Sequence, residues 1–229
     1  MTSVLVVAAH PDDEVLGCGG TLARHAAAGD SVDVLIVAEG ATSRQPGSPG
    51  SATAQPAGLA SAAAAAARAL GARPPKLLGL PDNRLDSLDL LDLVQAVEAV
   101  VGEIRPEIIY THHGGDLNVD HALVHRAVRT AARPLPGSPV RAIYAFETVS
   151  STEWGGGAVG APFEPTRFVD IAANLDVKLQ ALRCYDVEMR PFPHPRSYEA
   201  VEAGARCAGA AVGLEAAERF VVVLERVSS

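Results

Sequence analysis

The chain has 229 residues, of which 48% are hydrophobic and 20% are charged, a composition that is typical of globular proteins and excludes wholesale disorder. Its 19 basic and 27 acidic side chains give a formal net charge of −8, so it lacks the basic excess with which proteins neutralise nucleic-acid phosphates. The length suits one sizeable hydrophobic core, and we expect residues 1–229 to form a single domain.

Short apolar runs alternate with helical stretches along the chain, which is typical of a parallel sheet with crossover helices. The predicted strands are residues 3–9, 31–38, 76–80, 107–111, 140–146, 168–171 and 219–227. The predicted helices are residues 16–28, 59–70, 85–103, 121–132, 175–187 and 198–210. Two long loops, residues 40–58 and 150–165, follow the second and fifth strands. The pattern predicts an α/β fold of the Rossmann-like, doubly wound type, with a mainly parallel sheet and helices on both faces.

A polar cluster, His10-Pro11-Asp12-Asp13-Glu14, follows the first predicted strand. In open α/β sheets, ligands bind outside the carboxyl ends of the strands, at the point where the strand order reverses. An imidazole and a carboxylate three residues apart can bind one divalent cation, and a second carboxylate can face a metal-bound water. The alternative is an ordinary helix N-terminus, at which acidic side chains cap free N–H groups. Capping accounts for one acid but poorly for the whole set.

A second polar segment follows the fourth strand and contains four histidines: His112, His113, His121 and His125. We expect the fourth strand to lie beside the first, so that the two polar segments face each other. His121 opens the next predicted helix and suits a third metal ligand, whereas His125 lies one turn further along the same helical face. We favour His121 because only the first turn of that helix reaches the carboxyl edge of the sheet. A structural role and a functional role are equally expected for His112 and His113.

At these residues the sequence resembles the LmbE-like, or PIG-L-like, zinc-dependent N-deacetylases, and in particular a bacterial N-acetylglucosaminyl deacetylase-like branch. The likeness rests on the string Ala-His-Pro-Asp-Asp-Glu at residues 9–14 and on Asp-His at residues 120–121. Three further segments, residues 39–44, 81–86 and 194–197, resemble features of that branch and follow in the right order. The resemblance spans nearly the whole chain and implies a single LmbE-like deacetylase domain.

Carried over residue by residue, the resemblance implies that His10, Asp13 and His121 bind Zn²⁺, with another divalent metal as an alternative, and that Asp12 is the general base. The family commonly has a histidine at the position of Asn118, where it stabilises the charged intermediate. Because this chain has asparagine at that position, the oxyanion helper or acid is either Asn118 or His194. A loop histidine between two prolines is an equally good interpretation of His194.

The resemblance implies a hydrolase that removes the N-acetyl group from an N-acetylated amino sugar or its conjugate, of the N-acetylglucosamine type, and releases acetate. Arg44, Arg84 and Arg196 are the candidate substrate-binding residues, although a lone arginine is more often a solvated surface residue. Trp154, in the second long loop, either stacks on a sugar face or anchors the loop. The alternatives are a metal-dependent amidase of a thiol conjugate or other small amide, and a non-catalytic sugar-binding relic.

Cysteine usage and hydropathy indicate the compartment. Cys18, Cys184 and Cys207 are too widely separated for a disulfide framework or a Cys-x-x-Cys metal motif, which favours a reducing environment. No run approaches the roughly 18 apolar residues of a membrane span, and the first ten residues lack the basic start of a secretory signal. We therefore expect a cytoplasmic protein with a small-molecule amino-sugar partner and no membrane or nucleic-acid partner, and a homo-oligomer is possible.

Overall fold

The computed structural model of the chain describes residues 1–41, 56–157 and 159–227. Within these ranges, seven strands form a sheet in the order β3-β2-β1-β4-β5-β7-β6. The first five strands run parallel to one another, and β7 runs antiparallel to both β5 and β6. The strands are β1 Ser3–Ala8, β2 Ser31–Ala38, β3 Lys76–Leu80, β4 Ile108–His112, β5 Ala142–Phe146, β6 Arg167–Asp170 and β7 Ala217–Glu225. The predicted α/β fold with a mainly parallel sheet is confirmed.

Helices cover both faces of this sheet. They are α1 Asp13–Ala27, α2 Pro56–Leu70, α3 Leu90–Ile104, α4 Val119–Ala131, α5 Thr152–Gly155, α6 Leu175–Arg183 and α7 Tyr198–Ala210. Because successive residues of a strand point to opposite faces, Val4 and Val6 of β1 pack with α1, α2, α6 and α7, whereas Leu5 and Val7 pack with α3 and α4. None of the described helices has the length and the apolar character needed to cross a bilayer.

The strand order reverses at β1, which lies between β2 and β4. The register pairs Val4 with Ile108 and Val7 with Thr111, so β1 and β4 end side by side. The polar segments that follow these two strands are therefore neighbours at the carboxyl edge of the sheet, as the sequence predicts.

Several element boundaries differ from those expected from the sequence. The helix predicted at residues 85–103 begins at Leu90, because Leu85–Ser87 form a separate 3₁₀ turn whose Leu85 N–H donates to Asp120 Oδ1 at 3.0 Å. The helix predicted from residue 16 begins at Asp13, which places two acids of the first polar cluster inside its first turn. The predicted loop at residues 150–165 contains the short helix α5.

The first half of α1 packs unusually close to its neighbours. A Cβ atom added at Gly17 would overlap the ring of Phe146, and one added at Gly20 would lie 2.8 Å from Ile171. At Cys18 the helix has a non-helical φ of −146°. Glycine thus allows the start of α1 to approach the sheet, and this brings Asp13 to the carboxyl edge beside the end of β4.

Candidate active site and metal centre

Three potential ligand atoms converge where β1 and β4 end. His10 follows β1, Asp13 is the first residue of α1, and His121 lies in the first turn of α4. His10 Nδ1 is 3.2 Å from Asp13 Oδ2, His121 Nε2 is 3.3 Å from the same oxygen, and the two nitrogens are 3.3 Å apart. The Asp13 and His121 side chains are buried, and His10 is 12% exposed. The three atoms, His10 Nδ1, Asp13 Oδ2 and His121 Nε2, form a nearly equilateral ligand triangle.

The donor set fits a tetrahedral zinc ion. Ligand atoms at about 2.0–2.1 Å from a tetrahedral zinc are about 3.3–3.4 Å apart, which is close to the separations in this triangle. Hydrogen bonds alone do not satisfy the three side chains, because Asp13 Oδ1 is buried and has no hydrogen-bond partner among the described residues. Two imidazoles and one carboxylate are a common zinc ligand set that leaves a fourth position open.

Carboxylates face the outer nitrogen of His10. Its Nε2 lies 3.1 Å from Asp120 Oδ2 and 3.2 Å from Asp82 Oδ1. Asp120 is held in turn, because its two oxygens accept the backbone N–H groups of Asn83 at 2.8 Å and Leu85 at 3.0 Å. His10, Asp82 and Asp120 are close enough to form a second group of metal donors, but these backbone bonds occupy Asp120. Asp120 is better placed to orient the imidazole, a common arrangement behind metal-binding histidines.

Asp116 plays the equivalent part behind His121. Its Oδ1 lies 3.1 Å from His121 Nδ1, and the carboxylate accepts hydrogen bonds from the Ser151 and Thr152 hydroxyls and, at 2.8 Å, from the Asn118 N–H. Burial raises the pKa of Asp116, but His121 and the two hydroxyls outweigh it and lower that pKa to about 2. The loop that follows β5 is therefore fastened to the back of this imidazole.

The electrostatic balance of the cluster favours a cation. Burial raises the pKa of Asp13, but the His121 and His112 imidazoles hold it well below its usual value. Burial lowers the pKa of His10, but the carboxylates of Asp120 and Asp13 raise it well above its usual value. The carboxylates around His10 thus favour positive charge at this point, which suits a bound divalent cation.

Asp12 stands beside this triangle. It occupies the N-cap position of α1 with φ 112° and ψ −29°, yet its side chain accepts no helix N–H, so the helix-cap alternative does not account for it. Its carboxylate instead accepts a hydrogen bond from Arg196 Nη1, with Oδ2 at 2.7 Å. Burial raises the pKa of Asp12 well above its usual value, and the Arg196 guanidinium opposes that shift. A buried carboxylate with raised basicity suits a general base.

A cavity of about 130 Å³ opens at Asp12. Most of its described lining is polar and includes His10, Asp12, Asp82, Asn83, Asn118 and Arg196. Asn118 caps α4, because its Oδ1 accepts the Asp120 N–H at 2.9 Å, and its Nδ2 donates to Asn83 Oδ1 at 2.9 Å. The Asn118 amide thus forms part of the cavity wall while ordering the start of the helix.

The remaining predicted site residues lie outside the described lining of this cavity. His194 Nδ1 accepts the Arg196 N–H at 3.0 Å, and its ring meets the Trp154 ring edge-on with the centroids 6.5 Å apart. Arg84 is exposed next to the 3₁₀ turn. Arg44 lies outside the residues that the structure describes.

The other histidines of the second polar segment form hydrogen bonds with backbone groups. His112 is fully buried, stacks on His121 at 3.9 Å, and its Nε2 accepts the Ala9 N–H at 2.8 Å. His113 Nε2 donates to the Ala161 carbonyl at 2.8 Å, and His125 Nδ1 donates to the His112 carbonyl at 2.8 Å. These contacts fix the two loops around the ligand triangle.

Sequence reasoning missed three residues that support the site. Asp116 has a local signal, since it is an acid five residues before His121 on the same polar segment. Glu14 belongs to the first polar cluster, but the sequence pattern assigns it no role of its own. Tyr185, whose hydroxyl donates to Glu14 Oε1 at 2.6 Å, has no signal within its own segment.

Comparisons with known proteins identify a family and a shared fold. The chain matches the PIG-L family, described as GlcNAc-PI de-N-acetylase, over residues 5–132, more than half of its length. The conserved protein TT1542 from Thermus thermophilus is 27% identical with a TM-score of 0.77, covering 100% of this chain and 98% of that chain. GalB, the 4-carboxy-2-hydroxymuconate hydratase from Pseudomonas putida, is 24% identical with a TM-score of 0.78, and the match covers 100% of this chain and 99% of that chain. The N,N'-diacetylchitobiose deacetylase from Pyrococcus horikoshii is 19% identical with a TM-score of 0.76, and the match covers 96% of this chain and 83% of that chain. A comparison with curated protein sequences finds no significant match.

Proposed function

The chain belongs to the PIG-L family, and from this premise we propose that it is a zinc-dependent N-deacetylase, which hydrolyses the acetamido group of an N-acetylated amino sugar or its conjugate and releases acetate. The ligand triangle of His10, Asp13 and His121, with the Asp12 carboxylate beside it at a polar cavity, supports this activity most directly. The chitobiose deacetylase of the same fold supports an amino-sugar substrate. Because a hydratase also has this fold, the fold alone does not select the reaction.

When bound by these three residues, zinc supplies Lewis acidity that lowers the pKa of water to about 7 and polarises an amide carbonyl. Asp12 accepts the proton of the attacking water, for which its burial and raised pKa suit it. Asp12 then gives that proton to the leaving amine, because the same carboxylate borders the cavity in which the amide sits.

Two cavity residues are placed to act on the developing negative charge. The Arg196 guanidinium donates through Nη1 to Asp12 and through Nε to Ser150 Oγ at 2.9 Å, and it also lines the cavity. A fixed cation at this point favours an anionic oxygen over a neutral carbonyl. We therefore assign Arg196, rather than His194, as the first candidate for the oxyanion helper, with the Asn118 amide as the second cavity residue of this kind.

The proposed reaction predicts acetate release that depends on metal. Protein loaded with zinc is expected to bind about one ion per chain and to release acetate and a free amine from N-acetylglucosamine, diacetylchitobiose or a conjugate of them. Removal of the metal by a chelator is expected to abolish acetate release, and added zinc is expected to restore it. Metal analysis and an acetate assay over a panel of N-acetyl sugars check this.

The same panel separates the alternatives. Turnover of thiol conjugates or other small amides, with none of the sugars, would indicate the amidase. Sugar binding with no turnover of any amide by the zinc-loaded protein would indicate a binding relic.

Replacement of Asp116 by asparagine is expected to weaken metal binding by about 10- to 100-fold, because the imidazole of His121 loses the carboxylate that orients it. The matched control is Asp86→Asn, which removes an exposed acid from the 3₁₀ turn and should leave the metal affinity unchanged. A chelator competition titration measures both. Wild-type affinity in Asp116→Asn, with only a lower melting temperature, would show that Asp116 merely fastens the loop.

A further inference from the structure

The backbone of Asp12 is in a conformation that L-amino acids rarely adopt. Its φ of 112° is positive, and it is one of four non-glycine residues with positive φ among those that the structure describes. Such a conformation persists only where surrounding contacts over-determine it, and it is concentrated at functional sites. Asp12 is also 1% exposed, so neighbouring protein residues are close enough to hold this conformation.

A buried side chain holds the N–H of this residue. Glu14 Oε2 accepts the Asp12 N–H at 3.1 Å, and Glu14 Oε1 accepts the Tyr185 hydroxyl at 2.6 Å. Glu14 is 2% exposed and Tyr185 is fully buried. Tyr185 follows α6, 171 residues along the chain from Glu14, so the contact ties the turn after β1 to a distant helix.

A third acid next to Asp12 and Asp13 is electrostatically unfavourable in a buried segment, since each carboxylate repels the others. Packing alone would be served by an apolar side chain of similar size. Each oxygen of Glu14 instead accepts a hydrogen bond, one from the Asp12 N–H and one from the Tyr185 hydroxyl. An apolar side chain could accept neither.

We propose that Glu14 and Tyr185 are positioning residues for the base: they hold Asp12 in its left-handed backbone conformation, which directs its carboxylate into the cavity beside Arg196. The inference rests on the proposed function for the role of Asp12, but the conformational part can be tested without any turnover. Neither residue needs to touch the substrate, because each acts through Asp12.

The ligand Asp13 is held separately from this arrangement. Its Oδ2 accepts the His10 N–H at 2.9 Å, and its own N–H donates to the His10 carbonyl at 3.3 Å. Loss of the Glu14 contact therefore releases Asp12 while the ligand triangle keeps its own hydrogen bonds. Substitutions at Glu14 and Tyr185 should therefore lower turnover and leave the metal content unchanged.

The geometry makes Glu14→Gln and Glu14→Ala an informative pair. A glutamine keeps both contacts, because its amide oxygen accepts the Asp12 N–H and its NH₂ donates to the Tyr185 oxygen. An alanine removes both. A positioning role thus predicts near wild-type behaviour for Glu14→Gln, whereas a purely electrostatic role predicts that Glu14→Gln is as damaging as Glu14→Ala.

The first readout is structural and uses metal-free protein. In crystals of Glu14→Ala, Asp12 is expected to adopt a negative φ and to lose the 2.7 Å contact with Arg196, while Glu14→Gln retains both features. An unchanged Asp12 backbone in Glu14→Ala would overturn the proposal, whether or not the protein proves to be a deacetylase.

The second readout is kinetic. Tyr185→Phe and Glu14→Ala are expected to keep full zinc content and a similar KM, and to lower kcat by roughly 10- to 100-fold, the range that misplacement of a catalytic group produces. The control Tyr198→Phe removes another tyrosine–carboxylate bond, at 2.9 Å to Asp186, and should keep wild-type kcat. Wild-type kcat in Tyr185→Phe, or a loss of activity that follows the loss of folded protein or metal, would overturn the positioning role. If Glu14→Ala fails to fold, Tyr185→Phe, which removes one oxygen atom, decides the question by the same two readouts.

Discussion

Replacement of Asp12 by asparagine is expected to lower kcat by about 10²- to 10⁴-fold and to leave zinc bound, because the change removes basicity and keeps size and shape. The carboxylate lies outside the ligand triangle and faces Arg196 at 2.7 Å. An asparagine there still accepts a hydrogen bond from the guanidinium but takes no proton from water. Steady-state acetate release and zinc content per chain measure the two quantities.

The control for this substitution is a second buried acid with an arginine partner. Asp33 on β2 is 8% exposed and lies 3.4 Å from Arg73 Nη1, away from the site. Asp33→Asn is expected to cost some stability and no turnover. If Asp12→Asn lowers zinc affinity together with activity, Asp12 is a metal ligand. Near-normal turnover by Asp12→Asn would contradict the mechanism proposed here.

The sequence predicts the sheet and the meeting of the two polar segments because both depend on local signals. Apolar runs of the right length identify the strands, and the rule that ligands bind at the switch point places the segment after β1 against the segment after β4. The side-by-side ends of β1 and β4 confirm that reasoning. The histidines and acids in those segments are then close enough to share a cation, as the distances among His10, Asp13 and His121 show.

The supports behind the site could not be predicted in the same way, because they depend on tertiary contacts between distant segments. Tyr185 reaches Glu14 only because α6 packs against α1. The Ser151 and Thr152 hydroxyls, in the segment after β5, reach Asp116 in the segment after the neighbouring strand β4. The helix predicted at residues 85–103 is interrupted because Leu88 and Asp89 are extended, and the 3₁₀ turn before them is bound to Asp120 through the Leu85 N–H. No periodicity within a single segment contains this information.

His194 illustrates the limit of motif spacing. Its place beside Arg196 makes it a candidate for the oxyanion helper, yet its Nδ1 accepts the Arg196 N–H and its ring faces Trp154. The neighbouring Arg196, a candidate only for substrate binding, contacts Asp12 and lines the cavity. Adjacent residues of one loop point in different directions, and the side-chain direction decides which of them reaches the chemistry.

Loss of either imidazole from the ligand triangle is expected to abolish zinc binding and, with it, turnover. In His121→Ala or His10→Ala, two protein ligands remain where three are required. His112 Nε2 accepts the Ala9 N–H at 2.8 Å, which keeps it from replacing a lost ligand without breaking that bond. Zinc content after gel filtration, measured beside circular dichroism to establish that the fold persists, checks the prediction.

The matched control is His125→Ala, which removes an imidazole from the same helix one turn later. Its Nδ1 donates to the His112 carbonyl, so the substitution should lower stability by the cost of one buried hydrogen bond, roughly 1–3 kcal/mol, and leave zinc in place. Full zinc stoichiometry in His121→Ala would contradict the assignment and move the third ligand to His113 or His125. Zinc loss in His125→Ala with retention in His121→Ala would place that ligand at His125, and the fit of the triangle to a tetrahedral ion would then be coincidental.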